Sequence, residues 1–197
     1  MTRKLTETDY QRAAEDLGVP VAAVKAVTEV ESRGDGFLPD GRPVVLFERH
    51  IMYRRVRDKF GSAEAQKYFE RYPDLINPTP GGYGKTAEQP NRMGRAADSI
   101  DRDCALESAS WGSFQVLGMH WEWLGYESLQ QFVNRMYRSE GDHLDAFVRY
   151  VKATPKALNG LRKRDWASFA AAFNGPNYSI NKYDQKLAAA FARHSMA

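Results

Sequence analysis

Between Pro20 and Glu48 the sequence switches from a helical to an extended pattern, and that switch constrains the fold more than any other feature. Apolar residues from Pro20 to Ser32 recur at helical spacing, and a proline suits the first turn of such a helix. Gly34-Asp35-Gly36 breaks the pattern. Phe37-Leu38 and Val44-Val45-Leu46-Phe47 then flank Pro39-Asp40-Gly41-Arg42. Proline presets one backbone dihedral there and glycine accepts a positive φ, so a small β-hairpin is expected. Pro39 and Pro43 keep its strands short or at an edge. A helix feeding a small hairpin gives a mainly α chain with α+β character.

The remaining pattern is helical. Thr6 and Asp9 form a capping-box signature, with a first helix running to Gly18. Further helices are expected over 49–60, 63–71, 96–108, 111–119, 127–139, 140–153, 155–161, 165–173 and 179–192. Residues 73–95 hold four prolines and four glycines and are expected as a long loop, either a surface connection or a wall or lid beside a cleft. With 197 residues, a single catalytic domain over 1–197 is expected, without a separate wall-binding module.

Several function classes drop out on residue type. The longest apolar runs, such as Val44 to Phe47, are too short to span a bilayer, so no stable membrane insertion is expected. Thr2-Arg3-Lys4 leads into Thr6, Glu7, Thr8 and Asp9, not into an apolar stretch, so no signal peptide is expected. Cys104, as the single cysteine, excludes an intramolecular disulfide and a cysteine-built zinc site. His50, His120, His143 and His194 lie far apart, so neither a metal nor another cofactor is expected. The net charge of +3 is spread along the chain with no basic tail, which argues against a nucleic-acid partner.

Glu31 is the residue with chemical promise. On a helical wheel it falls between Val24 and Val27, whereas Glu29 falls on the opposite, lysine-bearing side as a solvated charge. A carboxylate on an apolar face must be paired, neutral or facing a cleft. Partial burial raises its pKa, as a general acid near neutral pH requires. A structural ion pair with a nearby arginine is the competing reading. Glu48 closes the returning strand and is a candidate second acid. Asp35 and Asp40 are rivals that read better as turn residues.

Three further segments bring a family into view. Glu31-Ser32 resembles the Glu-Ser motif of goose-type lysozymes and soluble lytic transglycosylases. Ser110 to Gly118 resembles their Gly-Leu-Met-Gln motif, with Gly112 and Gln115 at matching spacing, and Ala172 to Pro176 their Ala-Tyr-Asn-Gly motif. More closely, the chain resembles the N-acetylmuramidase domain of endolysins from phages and prophages of Gram-negative bacteria. The residues that carry this are Glu29 to Ser32, Gly36-Phe37, Gly41-Arg42-Pro43, Leu46 to His50, Ser110 to Gln115 and Phe173 to Pro176.

That resemblance implies a lysozyme-like helical fold cleaving peptidoglycan between N-acetylmuramic acid and N-acetylglucosamine. Glu31 would be the general acid and Glu48 a second catalytic carboxylate. Ser32, His50, Ser110, Trp111, Phe114, Gln115, Asn174 and Tyr178 would bind substrate. Phe173 stands where the wider superfamily commonly has tyrosine. Trp111, Tyr83, Trp121 and Trp123 are aromatic candidates for sugar-stacking walls. The partner would be peptidoglycan glycan strands, engaged by a monomer. The chain would be made in the host cytoplasm and released to the periplasm through a holin-type lesion.

Three other readings stay open. A lytic transglycosylase uses the same acid but forms 1,6-anhydro-muramyl ends. Tyr10 to Val27 can pass for a DNA-binding helix-turn-helix, although Lys25 is the one basic group of its second helix before Glu29. A non-catalytic wall-binding module would keep the sugar groove without needing the acid.

Overall fold

The structure is a computed structural model that describes residues 3–32 and 34–196. In chain order the helices are α1 (Glu7–Leu17), α2 (Val21–Glu31), α3 (Arg49–Phe60), α4 (Ser62–Arg71), α5 (Gln89–Ser99), α6 (Arg102–Glu107), α7 (Leu129–Arg138), α8 (Glu140–Ala153), α9 (Pro155–Lys163), α10 (Trp166–Asn174) and α11 (Tyr183–Ser195). The strands are β1 (Val45–Phe47), β2 (Ala109–Trp111) and β3 (Val116–Leu117). The backbone forms two compact units, Met1–Gly34 with Ser139–Ala197, and Asp35–Arg138.

The first unit is all helical and joins the two ends of the chain. Thr6 caps α1 as its spacing implies: its Oγ1 accepts from the Asp9 N–H at 3.3 Å while Asp9 Oδ2 accepts from the Thr6 N–H at 3.0 Å. Helix α2 starts after Pro20 and buries Ala23, Val24, Ala26, Val27 and Thr28. Helix α11 packs along α2 through Leu187 and Ala190 and also meets α10. Helix α9 lies against α10 at Gly160, where a Cβ would come within 2.7 Å of the Phe169 backbone nitrogen. A side chain at that position would force the two helices apart.

The second unit holds a three-stranded antiparallel sheet in the order β1-β2-β3, with Val45 opposite Trp111 and Trp111 opposite Val116. Here the expectations are corrected in four places. The Pro39-Asp40-Gly41 turn forms, with Leu38 N–H donating to Arg42 O at 2.8 Å, but it carries one bridge, Phe37 to Pro43, and no ladder. The prolines withhold the donors a ladder needs. β1 pairs with β2 instead. The helix expected over 111–119 is the β2–β3 hairpin, because Gly112 and Gln115 adopt φ of +68° and +52°, which no helix accommodates. Within the expected long loop, α5 begins at Gln89 with Pro90 in its first turn and buries Met93 and Ala96. Asp101 then starts α6 as its cap, accepting from Cys104 N–H at 2.9 Å, so the expected 96–108 helix is two helices.

The rest of that loop is pinned by two arginine side chains. Arg49 donates to Gly81 O and to Pro73 O, each at 3.0 Å. Arg92 donates to Asp74 O at 2.7 Å, to Gly82 O at 2.6 Å and to Tyr83 O at 2.9 Å.

Candidate active site

Glu31 is the last residue of α2, and Asn174 is the last residue of α10. The Asn174 amide Nδ2 donates to Glu31 Oε1 at 2.8 Å across 143 residues of sequence. Among the described residues the donor to this carboxyl is therefore an amide, not an arginine guanidinium. Burial raises the pKa of Glu31, opposed by the Asn174 hydrogen bond and by the positive charge of Lys186. The amide occupies one carboxyl oxygen and leaves the other to carry a proton. A half-buried carboxylic acid with one oxygen held is competent to protonate a leaving group.

The local sequence explains why these two side chains end their helices together. Ser32 closes α2, its N–H donating to Thr28 O at 3.0 Å while its backbone turns extended. Asp165 caps α10, accepting from the Ser168 N–H at 3.0 Å and hydroxyl at 2.6 Å. Gly175, at φ +80°, ends it directly after Asn174. Phe173 stacks on Phe169 and meets Phe147 and Tyr150 edge-on, with ring centroids 5.1–5.8 Å apart. That surround is aromatic, and Phe173 packs in it through its ring. Tyr178 is half-buried in the 3-10 turn Pro176–Asn181 that follows.

Glu29 behaves as its wheel position predicts. It is exposed and ion-paired to Arg193 and His194 of α11, which lower its pKa. Lys186 was not a sequence candidate for the site. Only the packing of α11 on α2 places its charge near Glu31, and no spacing in the chain signals that.

In the second unit Glu48 caps β1 and starts α3. Its Oε2 accepts from the Tyr83 hydroxyl at 3.2 Å and lies 3.6 Å from His50 Nδ1. His50 Nδ1 is buried without a hydrogen bond. Burial and the Glu48 charge raise the pKa of Tyr83, so the phenol stays a donor. Tyr83 itself lies in the pinned loop: Gln89 and Arg92 both donate to its carbonyl.

Three residues expected to bind substrate on this unit have buried side chains. Trp111 is 1% exposed, its Nε1 donating to Leu106 O at 3.0 Å and its ring set edge-on to Phe132, so it is a core residue and not a sugar platform. Ser110 and Phe114 are likewise buried. Gln115 is half-buried and its amide donates to Gly112 O at 2.9 Å, holding the β2–β3 turn. Trp121 is tied to Glu107 at 3.0 Å, which also pairs with Arg55, whereas Trp123 is 51% exposed. Among the described residues no group of acids, histidines or cysteines forms a metal site.

The comparisons with known proteins agree with one another. A family model described as Muramidase, N-acetylmuramidase, matches residues 20–195. The crystal structure of a Burkholderia AP3 phage endolysin is similar to this chain at 49% identity with a TM-score of 0.93, covering 100% of this chain and 74% of that one. No curated protein matches the chain. Two-thirds helix with a small three-stranded sheet is the composition of a lysozyme-like α+β fold.

Proposed function

Because the chain belongs to the N-acetylmuramidase family, and so is a glycoside hydrolase of peptidoglycan of the phage endolysin kind, we propose that it cuts the N-acetylmuramic acid to N-acetylglucosamine bond with Glu31 as general acid. The observation that carries this is the Glu31–Asn174 pair: a half-buried carboxyl at a helix end, biased toward its neutral form and oriented by an amide.

In the proposed reaction Glu31 gives its proton to the glycosidic oxygen as the bond to muramyl C1 breaks, and positive charge spreads over C1 and the ring oxygen. Water then bonds to C1 and loses a proton, which restores the acid. Asn174 holds the carboxyl through both steps and donates without titrating. Glu48 is the proposed second acidic group, supported by its fixed hydrogen bond from Tyr83. Ser32, His50, Gln115 and Tyr178 remain proposed contacts to sugar. The backbone next to Ser110 and Phe114 is proposed to contribute in place of their buried side chains.

The chain is further proposed to act as a monomer, without nucleic acid, after synthesis in the host cytoplasm and release through a holin-type lesion. No described helix is long and apolar enough to cross a membrane. Against a DNA-reading α2 stands its packing between α1 and α11, with Lys25 paired to Glu7 at 2.8 Å.

Mass analysis of muropeptides released from purified peptidoglycan tests the reaction. Reducing muramyl ends that gain label from heavy-oxygen water are expected. Anhydro-muramyl ends, lighter by one water, would make the chain a lytic transglycosylase. Absence of products, with binding to sacculi intact, would make it a wall-binding module.

A further inference from the structure

Helices α9 and α10 flank an open groove of about 460 Å³ in the first unit, within the usual volume range of small-ligand sites. Lys156, Asn159 and Lys163 face it from α9, at positions i, i+3 and i+7 of one helix face. Neither lysine is held in an ion pair among the described residues. The single carboxylate on the rim, Asp165, is already used as the cap of α10 and is held ionised by Ser168. Two exposed cations and an amide are therefore available to an anionic ligand.

Ala171 and Ala172 line the groove from α10, small side chains beside the close helix contact at Gly160. Asn174 is three residues after Ala171, so the two are neighbours on one helix surface, with Cβ atoms about 5–6 Å apart. The groove thus begins one helical turn from the amide that holds Glu31. In peptidoglycan the muramyl ring whose C1 is cut carries, at C3 of that same ring, a lactyl group bearing a short peptide with free carboxylates.

We propose that this groove binds the stem peptide of the muramyl residue being cleaved, with Lys156 and Lys163 receiving its carboxylates and Asn159 its amides. The inference rests on Glu31 and Asn174 marking the point of cleavage. It makes the enzyme selective for peptide-bearing glycan over bare glycan.

Two substrates and two readouts test it. One substrate is intact peptidoglycan, and the other is the same glycan stripped of stems by an amidase. The double variant Lys156→Gln/Lys163→Gln is expected to lose about five- to tenfold in kcat/KM on the intact substrate, and at least threefold less on the stripped one. In a Glu31→Gln background, affinity for a soluble disaccharide-tripeptide is expected to fall by a similar factor when both lysines are replaced. Equal losses on the two substrates, or no loss on either, would overturn the proposal. Full turnover by Glu31→Gln alone would instead remove the reading it rests on, and the binding readout would still judge the groove.

Discussion

Glu31 and Glu29 sit two residues apart on one helix and have opposite fates, set by what each side of α2 faces. Burial lifts the pKa of Glu31, and arginine and histidine lower that of Glu29. For catalysis, a raised pKa keeps the acid protonated to higher pH, so kcat/KM is expected to fall as pH rises through the Glu31 titration. Lys186 pulls that pKa down, so Lys186→Gln is expected to move the alkaline limb to higher pH; an unmoved limb would detach Lys186 from the site. The sign for stability follows from proton binding. Above the ordinary glutamate pKa of 4.5 the unfolded chain gives up this proton more readily than the folded one, so folding loses stability as pH rises through the Glu31 titration. Glu31→Gln should therefore melt higher than the wild type near neutral pH, with the difference closing below about pH 4. Equal melting temperatures at both pH values would contradict the burial. The wheel position was enough to separate the two glutamates. It was silent on Asn174 as partner, which only the family resemblance suggested as a site residue.

At the scale of elements, local rules worked where the chain's own turn chemistry decided and failed where tertiary partners did. The Thr6 cap, the start of α2 after Pro20 and the Pro39-Asp40-Gly41 turn are all local. The pairing of β1 with β2 joins segments more than sixty residues apart, and a proline that reads as a loop marker is also the first-turn residue of α5. The ordered loop over 73–88 depends on two arginine side chains that periodicity treats as surface. Arg92→Ala removes the donations to three backbone carbonyls, those of Asp74, Gly82 and Tyr83, worth about 1–3 kcal/mol together. A drop of about 2–8 °C in melting temperature is expected, with early proteolysis between residues 73 and 88. Wild-type proteolysis in that segment would show that the clamp is dispensable. Tyr83→Phe takes only the hydroxyl from Glu48, and Glu48→Gln only its charge. If Glu48 takes part in the reaction, both lower turnover, Glu48→Gln by tenfold or more and Tyr83→Phe by less. A Glu48→Gln enzyme matching wild type would make Glu48 structural.

For the whole molecule, the first 34 residues fold with the last 59, so the helix bearing the acid depends on the end of the chain. Truncation before Tyr183 would strip Leu187 and Ala190 from α2 and is expected to abolish cooperative unfolding of that unit. A truncated chain with native helicity and activity would refute this. No reading of local pattern predicts this union of the chain's ends. The order of motifs along the chain does, because a Glu-Ser near the start and a Phe-Asn-Gly near the end belong to one site in the family it resembles. The central claim is that one carboxyl, Glu31, does the proton transfer. Its most direct test is the turnover of folded Glu31→Gln on purified peptidoglycan, beside Glu29→Gln as a control from the same helix. At least a hundredfold loss is expected for Glu31→Gln and near wild-type rates for Glu29→Gln; a Glu31→Gln enzyme keeping more than a hundredth of wild-type activity would contradict that role.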